Sequence, residues 1–316
     1  FMKHKFILVI CVLMCCASEV YSQDPQFTQF YANPLYLNPA FAGTGRCPRG
    51  VINYRNQWPN INGRYVTYSA SGDFHSDKLA GGVGMIITND DQALGKLKTT
   101  NVSLIYSYQA VISNKLALKF GLQGTYMQKN LDVNNLHFGD MIDPRRGFVW
   151  NTREAIPAAQ KVAADFSAGM LGYGKNYFFG LSAHHINQPD EGLLGTAKLP
   201  AKFTLHGGYV HALDRENKSY FSPNVLIMSQ QGIIQVNVGL YYVNGPFVAG
   251  LWYRSSDAVM PLIGIQNSFF KFGYSYDVTI SELSGITGGG HEISMQFQSF
   301  CRKKAPKFKV VECPSF

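Results

Sequence analysis

Gly288-Gly-Gly-His-Glu-Ile-Ser-Met-Gln-Phe-Gln-Ser-Phe300 is the stretch whose reading decides the fold. Ile293, Met295 and Phe297 fall at every second position, and Glu292, Ser294, Gln296 and Gln298 fill the alternate ones. Period two gives one apolar and one polar face, the pattern of a strand. Phe300 ends the run on an aromatic ring, where a membrane barrel places an interfacial girdle. Behind it comes Cys301-Arg-Lys-Lys-Ala-Pro-Lys-Phe-Lys-Val-Val-Glu-Cys-Pro-Ser-Phe316, a basic run between two cysteines. This strand fits a barrel-closing strand before a soluble tail, and equally a half-buried strand of a soluble sandwich. The remaining runs separate the two.

From Gly50 onward about fourteen strand-like runs alternate with turn signals, from 50–58 to 289–300. Leu116, Leu118, Phe120, Leu122 and Tyr126 oppose Lys119, Gln123 and Thr125; Phe247, Ala249, Leu251 and Tyr253 oppose Trp252 and Arg254. Phe270, Phe272, Tyr274 and Tyr276 oppose Lys271, Ser275 and Asp277. The apolar faces tend to end in tyrosine, as an interface belt does, and the polar faces suit a wet or plugged lumen. Runs of about 9–12 residues match tilted membrane-spanning strands, and an even number returns both barrel termini to one side. These features predict an all-β, transmembrane antiparallel barrel of about fourteen strands over residues 50–300. The longest connection, 129–160, carries Asp140, Asp143, Arg145, Arg146 and Trp150 and is expected to face outward.

Composition agrees. Charged residues are 15% and aromatics 14%, with 31 glycines, against about 25% charged residues in soluble domains. Lys3, His4 and Lys5 precede the apolar run 6–16, which is too short to span as a helix, and Val20-Tyr-Ser22 suits a signal-peptidase site. Residues 1–22 therefore read as a signal peptide; lipidation at Cys15 or Cys16 is the weaker alternative. After Gln23 no run of 18 apolar residues occurs. Residues 23–49 hold Pro25, Pro34, Pro39 and Pro48, which forbid a long helix or central strand, and Phe27, Phe30, Tyr31, Tyr36 and Phe41, which need burial. This segment is expected on the periplasmic side, packed at the barrel mouth, or as a leader loop on the domain edge.

Half of the formal charge of +8 lies in the tail 301–316, through Arg302, Lys303, Lys304, Lys307 and Lys309 against Glu312. An exported chain has little access to nucleic acid. The tail is expected in the periplasm, where its cations and Phe316 contact a protein partner or envelope polymer; a solvated tail that binds nothing is the alternative. The mature cysteines are Cys47, Cys301 and Cys313, an odd number in an oxidising compartment. Cys47 precedes the first strand and Cys301 follows the last, so closure brings them together; a 301–313 bridge is the rival. Catalytic signals are lacking: the chain has no Gly-x-Ser-x-Gly, His-Glu-x-x-His or phosphate-loop motif. His184 and His185, as strand neighbours, should point to opposite faces, one into the lumen and one to the interface. Asp90-Asp91, read as a loop after Asn89, is a weak calcium signal. No cofactor or metal is expected.

Asp24-Pro-Gln-Phe-Thr-Gln-Phe-Tyr-Ala-Asn-Pro-Leu-Tyr-Leu-Asn-Pro-Ala-Phe-Ala-Gly43, Asn53-Tyr-Arg-Asn-Gln-Trp-Pro59, Phe272-Gly-Tyr-Ser-Tyr-Asp-Val-Thr-Ile280 and His291-Glu-Ile-Ser294, with the ending Cys301-Arg-Lys-Lys…Cys-Pro-Ser-Phe316, resemble the PorP/SprF family of Bacteroidetes outer-membrane proteins. The resemblance covers essentially the whole mature chain. It implies a non-enzymatic barrel of the type IX secretion or gliding system, one that anchors or assists export of an adhesin-type surface protein. It also implies contact with the C-terminal domain of that cargo and with periplasmic ring or peptidoglycan-linked components. A passive transporter for a small solute is the alternative, favoured by a lumen left open by residues 23–49.

Overall fold

In the computed structural model the alternation builds one closed wall. The structure describes residues 24–299 other than 46, 114–115, 134–135, 137, 154–158, 194, 215–217 and 283. The barrel strands are β1 (Arg49–Gln57), β2 (Tyr65–Ser76), β3 (Gly81–Gln92), β4 (Leu97–Ser113), β5 (Leu116–Leu131), β6 (Gln160–Tyr173) and β7 (Tyr177–His184). They continue as β8 (Lys202–Tyr209), β9 (Ser219–Gln230), β10 (Ile233–Asn244), β11 (Phe247–Arg254), β12 (Ala258–Gln266), β13 (Phe270–Thr279) and β14 (Gly290–Gln298). Each pairs antiparallel with its sequence neighbours, and β14 closes on β1 from Arg49 opposite Gln298 to Gln57 opposite Gly290. The result is a closed barrel of fourteen antiparallel strands, which leaves no long open edge to satisfy. No helix among the described residues is long and apolar enough to cross a membrane.

The even count puts the start of β1 and the end of β14 at one rim, here the proximal end; Gln57 and Gly290 mark the distal end. Proximal connections are mostly short, such as Gly245-Pro246 between β10 and β11. The distal connections after β5 and β7 are long, and the first carries a small ladder pairing Ile142–Asp143 with Gly147–Phe148. At the tight distal hairpin between β9 and β10, Gln231 and Gly232 both have positive φ (55° and 78°), the geometry that matches strand twist in a two-residue turn.

The sandwich reading fails on which face is covered. Ile293, Met295 and Phe297 of β14 point outward, whereas Glu292 and Ser294 point inward and are buried. Outward-facing Leu104, Leu122 and Ile263 are each about two-thirds exposed, an apolar band that only lipid would cover. Tyr108, Tyr177, Tyr209, Phe247 and Phe297 ring the proximal margin of this band, and Tyr68, Tyr126 and Tyr253 lie toward the distal one.

β3 runs to Gln92, so Asp90 and Asp91 lie on the strand and not in the loop expected after Asn89. Asp90 is buried in the lumen, where it accepts from Thr67 Oγ1 (2.6 Å) and Gln92 Nε2 (2.7 Å). Its polarity resembled a turn, but a buried carboxylate with donors is stable on a lumen face. The histidine pair also departs from alternation. His185 has φ +56°, which ends β7 and turns its ring back to the lumen side, so both histidines are buried.

Candidate functional site

The centre of the barrel is filled by its own N-terminal segment. Residues 24–45 thread the lumen along its length and do not sit at the mouth. Two Asn-Pro steps shape the thread. Proline has no N–H to lose at a first helical position, and its φ is preset for one. Pro34 therefore opens a single α-turn (Pro34–Leu37), and Pro39 opens a 3-10 turn (Pro39–Phe41) capped by Asn38, whose Oδ1 accepts from Ala40 N–H (2.9 Å). A further 3-10 turn covers Phe30–Ala32. Phe30, Tyr31 and Phe41 of this thread are buried in one core with inward side chains of the wall, and the partly buried Tyr36 packs against it. Phe30 packs edge-on against Trp252 (centroids 5.1 Å apart), and Tyr31 packs against Phe178 (5.2 Å).

Four levels of polar contact hold the plug. At the distal end Asp24 meets Lys202 Nζ (2.8 Å) and His185 Nε2 (2.9 Å), and His185 Nδ1 faces Asp165 (3.0 Å). Burial works against ionising Asp24, but Lys202 and His185 outweigh it and hold the carboxyl well below the usual carboxylate range. Burial likewise opposes charge on His185, and Asp24 and Asp165 outweigh it, pushing the imidazole up to about 9.

One level down, Glu292 receives the Thr28 and Gln29 backbone N–H groups. Asp277 accepts from Thr28 Oγ1 (2.6 Å) and Arg55 Nη2 (2.8 Å), with Arg254 Nη1 at 3.4 Å. Arg55 also reaches Glu292 (3.4 Å). These four ionisable side chains are at most 4% exposed, so two cations and two carboxylates balance where an unpaired charge would be prohibitive.

Below them Asn38 donates to the Met170 and Leu181 carbonyls (3.1 and 3.0 Å) of β6 and β7. It fits there because Gly169 and Gly180 supply no side chain; a Cβ at Gly169 would overlap the Asn38 amide. At the proximal end Asp73 clamps Arg49 with both oxygens (2.9 Å each) and accepts the Gly43 N–H (2.7 Å). Lys119 and Ser107 donate to the Ala42 carbonyl.

Cavities remain beside the plug, two of them larger than the rest among the described residues. A polar one of about 90 Å³ lies on the distal side among β3, β4, β5 and β6, with Asp24 and Tyr36 of the plug in its lining. A more apolar one of about 60 Å³ lies among β10–β13, against Gln29 and Tyr31. Among the described residues no three His, Cys, Asp or Glu side chains converge as for a metal.

Of the residues singled out in the sequence, Cys47 is disulfide-bonded. Cys301, Cys313, Arg302, Lys303, Lys304, Lys307, Lys309 and Phe316 lie outside the described residues, as do the signal segment and Phe300. The ionic lumen residues Arg55, Arg254, Asp277 and Glu292 were not singled out as a group. Their signal was there: each falls on the polar face of an alternating strand, and two bases with two acids on such faces call for pairing.

A family model described as type IX secretion system membrane protein PorP/SprF matches residues 19–297. The chain belongs to the PorP/SprF family. The family is one of type IX secretion membrane proteins, and the fold is that of outer-membrane barrels. In solved structures, this PorP/SprF barrel is similar in fold to the toluene transporter TbuX of Ralstonia pickettii, with a TM-score of 0.52 at 12% identity over 84% of this chain and 93% of that one. The toluene transporter TodX of Pseudomonas putida gives a TM-score of 0.48 at 11% identity over 89% and 96% of the two chains. No curated protein matches the chain in sequence.

Proposed function

We propose that this PorP/SprF barrel is a non-enzymatic outer-membrane anchor of the type IX secretion system. It retains or assists export of a surface protein, and it contacts secretion components on its proximal side. The observation that carries this reading is the filled lumen. A passive pore needs a continuous path, and here residues 24–45 occupy the axis, held by an ion pair at Asp24, by hydrogen bonds from Thr28 and Gln29 to buried carboxylates, and by direct backbone contact near Gly43. A barrel closed along its axis serves through its two rims. The proximal rim is the periplasmic one in this reading. There β14 delivers the basic tail 301–316, with Arg302, Lys303, Lys304, Lys307, Lys309 and Phe316 as the partner-binding residues. The distal loops, above all 132–159, face the exterior and the cargo.

The same rim supports a staple. Arg49 stands opposite Gln298, and Ser299 N–H donates to the Pro48 carbonyl (3.0 Å). Cys301 follows two residues later, and we assign the bond of Cys47 to it. Peptide mapping of the unreduced protein should recover 47 joined to 301; a 301–313 peptide would refute the assignment.

The test of the anchor reading is a mild-detergent pull-down from outer membranes through a loop tag, for the full chain and for one lacking residues 302–316. The expected outcome is co-purification of a large surface protein or of secretion components with the full chain. Truncation should remove the periplasmic partner and leave the barrel assembled. A barrel that emerges alone even after cross-linking in vivo, and that conducts ions in a planar bilayer, would return the function to solute transport.

A further inference from the structure

The plug has a direction. One end is Ala42 and Gly43, held by Ser107, Lys119 and Asp73, which lie toward the proximal ends of β4, β5 and β2. The other end is Asp24, held by Lys202, His185 and Gln230. Lys202 opens β8 and Gln230 closes β9, both at the distal rim. Between its ends the segment turns sideways once, where Tyr36 Oη donates to the Pro25 carbonyl (2.5 Å). The even strand count returns both ends of the wall to the proximal rim. The plug then carries the chain back through the lumen, in the direction of falling residue number, to the distal one.

The chain before Asp24 has no way back. Asp24 N–H donates to Gln230 Oε1 (3.3 Å), so the preceding peptide bond already lies beside the distal hairpin of β9 and β10. Asp24, Pro25 and Gln26 are half-buried, whereas residues 27–31 are buried, so cover falls away toward the distal mouth. The two larger cavities share no lining residue, which leaves no continuous passage for a second pass. A non-helical segment is stable at membrane depth only where protein satisfies its backbone. The wall does so here: Glu292 receives the Thr28 and Gln29 N–H groups, and Ser182 Oγ donates to the Leu37 carbonyl (2.9 Å).

We propose that residues 24–45 are a membrane-crossing segment whose amino-terminal end emerges on the distal face, opposite the tail 301–316. The plug thereby joins the two faces through one chain. At its proximal foot Gln298 Nε2 donates to the Gly45 carbonyl (3.4 Å), at the point where β14 hands over to the tail. The proposal holds whichever rim faces the exterior; in the anchor reading the distal face is the outer one.

Added cysteines in the full-length protein report each face. They are Ser-Gly-Cys-Gly inserted between Gln23 and Asp24, Arg146→Cys in a distal loop, and Ser315→Cys in the tail. The probe is a membrane-impermeant maleimide, applied to intact cells and to cells with a permeabilised outer membrane, and mass spectrometry identifies the labelled peptide. The inserted cysteine should label on intact cells as Arg146→Cys does, and Ser315→Cys should label only after permeabilisation. An inserted cysteine that follows Ser315→Cys instead would overturn the proposal. If the inserted cysteine and Arg146→Cys both need permeabilisation while Ser315→Cys does not, the rims of the anchor reading are reversed and the proposal stands. Heat-modifiable migration checks assembly. Should the insertion prevent it, Gln26→Cys changes one half-buried side chain in the distal crevice beside Gln230 and is read in the same way.

Discussion

The two ends of the plug are held by different physics. At the proximal end the backbone itself touches the wall. Gly82 lies so close to Ala42 and Gly43 that a Cβ there would collide with the Ala42 carbonyl, and the Asp73–Arg49 clamp is buried around the Gly43 N–H. Among the described residues the distal end shows no comparable backbone approach. Asp24 is held chiefly by the ends of two flexible side chains, Lys202 and His185, beside a cavity. Shape fixes the first contact, and charge tunes the second. A plug of this kind is anchored where the chain enters the wall and adjustable around Asp24.

The largest effect should follow from breaking the proximal clamp. Asp73→Ala would leave Arg49 charged and buried without its carboxylate, at a cost of about 3–5 kcal/mol. Asp73→Asn keeps the shape and should recover part of that loss. Unfolding in denaturant from detergent micelles measures both, and a loss below about 1 kcal/mol for the alanine would mean that water reaches the clamp. Gly82→Ala ranks next. Its methyl group must displace the Ala42 backbone, an overpacking cost of about 1–3 kcal/mol. Ion current across a planar bilayer should rise as the plug loses its seat. Unchanged stability and current would show that the plug does not bear on β3.

Much of this fold was legible because a barrel strand encodes its own environment. Ile293, Met295 and Phe297 against Glu292 and Ser294 mark a strand with two unlike faces, with no knowledge of the partner strand, and the repetition of that pattern over some fourteen runs with tyrosines at the apolar ends points to lipid on the apolar side. The plug was not legible, because its contacts span the whole chain: Thr28 meets Glu292, 264 residues away, and Asn38 meets Leu181. Residues 24–45 carry no period to show which side is buried, and their prolines exclude long elements without saying where the segment lies. Asp90 and His185 misled for a related reason. Their local sequence resembled a turn and a strand, and a lumen-facing hydrogen bond in one case and a positive φ in the other decided the outcome.

At the distal end the effects should be smaller. Asp24→Asn removes the charge from a pair of mostly buried contacts, and the loss of charge-assisted hydrogen bonding should cost about 1.5–3 kcal/mol, below the proximal clamp because an asparagine oxygen still accepts from Lys202. The result should be flickering of the ion current rather than a stable rise, because the proximal seat remains. A stable open current would instead place the decisive hold at Asp24 and reverse the comparison between the two ends.

The smallest effect is a pH dependence whose sign follows from the same pair. His185 is raised from its ordinary 6.5 to about 9 in the folded protein. A raised histidine contributes stability that is complete below the unfolded value and is lost as pH climbs through the folded one. Asp24 is depressed, so its share is present above about 3.8 and is lost only in stronger acid. The distal contact should therefore be firmest between these limits, from about pH 4 to about pH 6.5, and should loosen as pH passes about 9. Lys202 remains 2.8 Å from Asp24, so the loosening is partial and appears as current noise without unseating the plug. His185→Gln cannot carry the charge. It should show at pH 6 the noise that the wild type shows only in alkali, and it should be flat with pH across the window where the wild type changes. Equal pH dependence in the two proteins would move the titration to another group and leave Lys202 as the main restraint on Asp24.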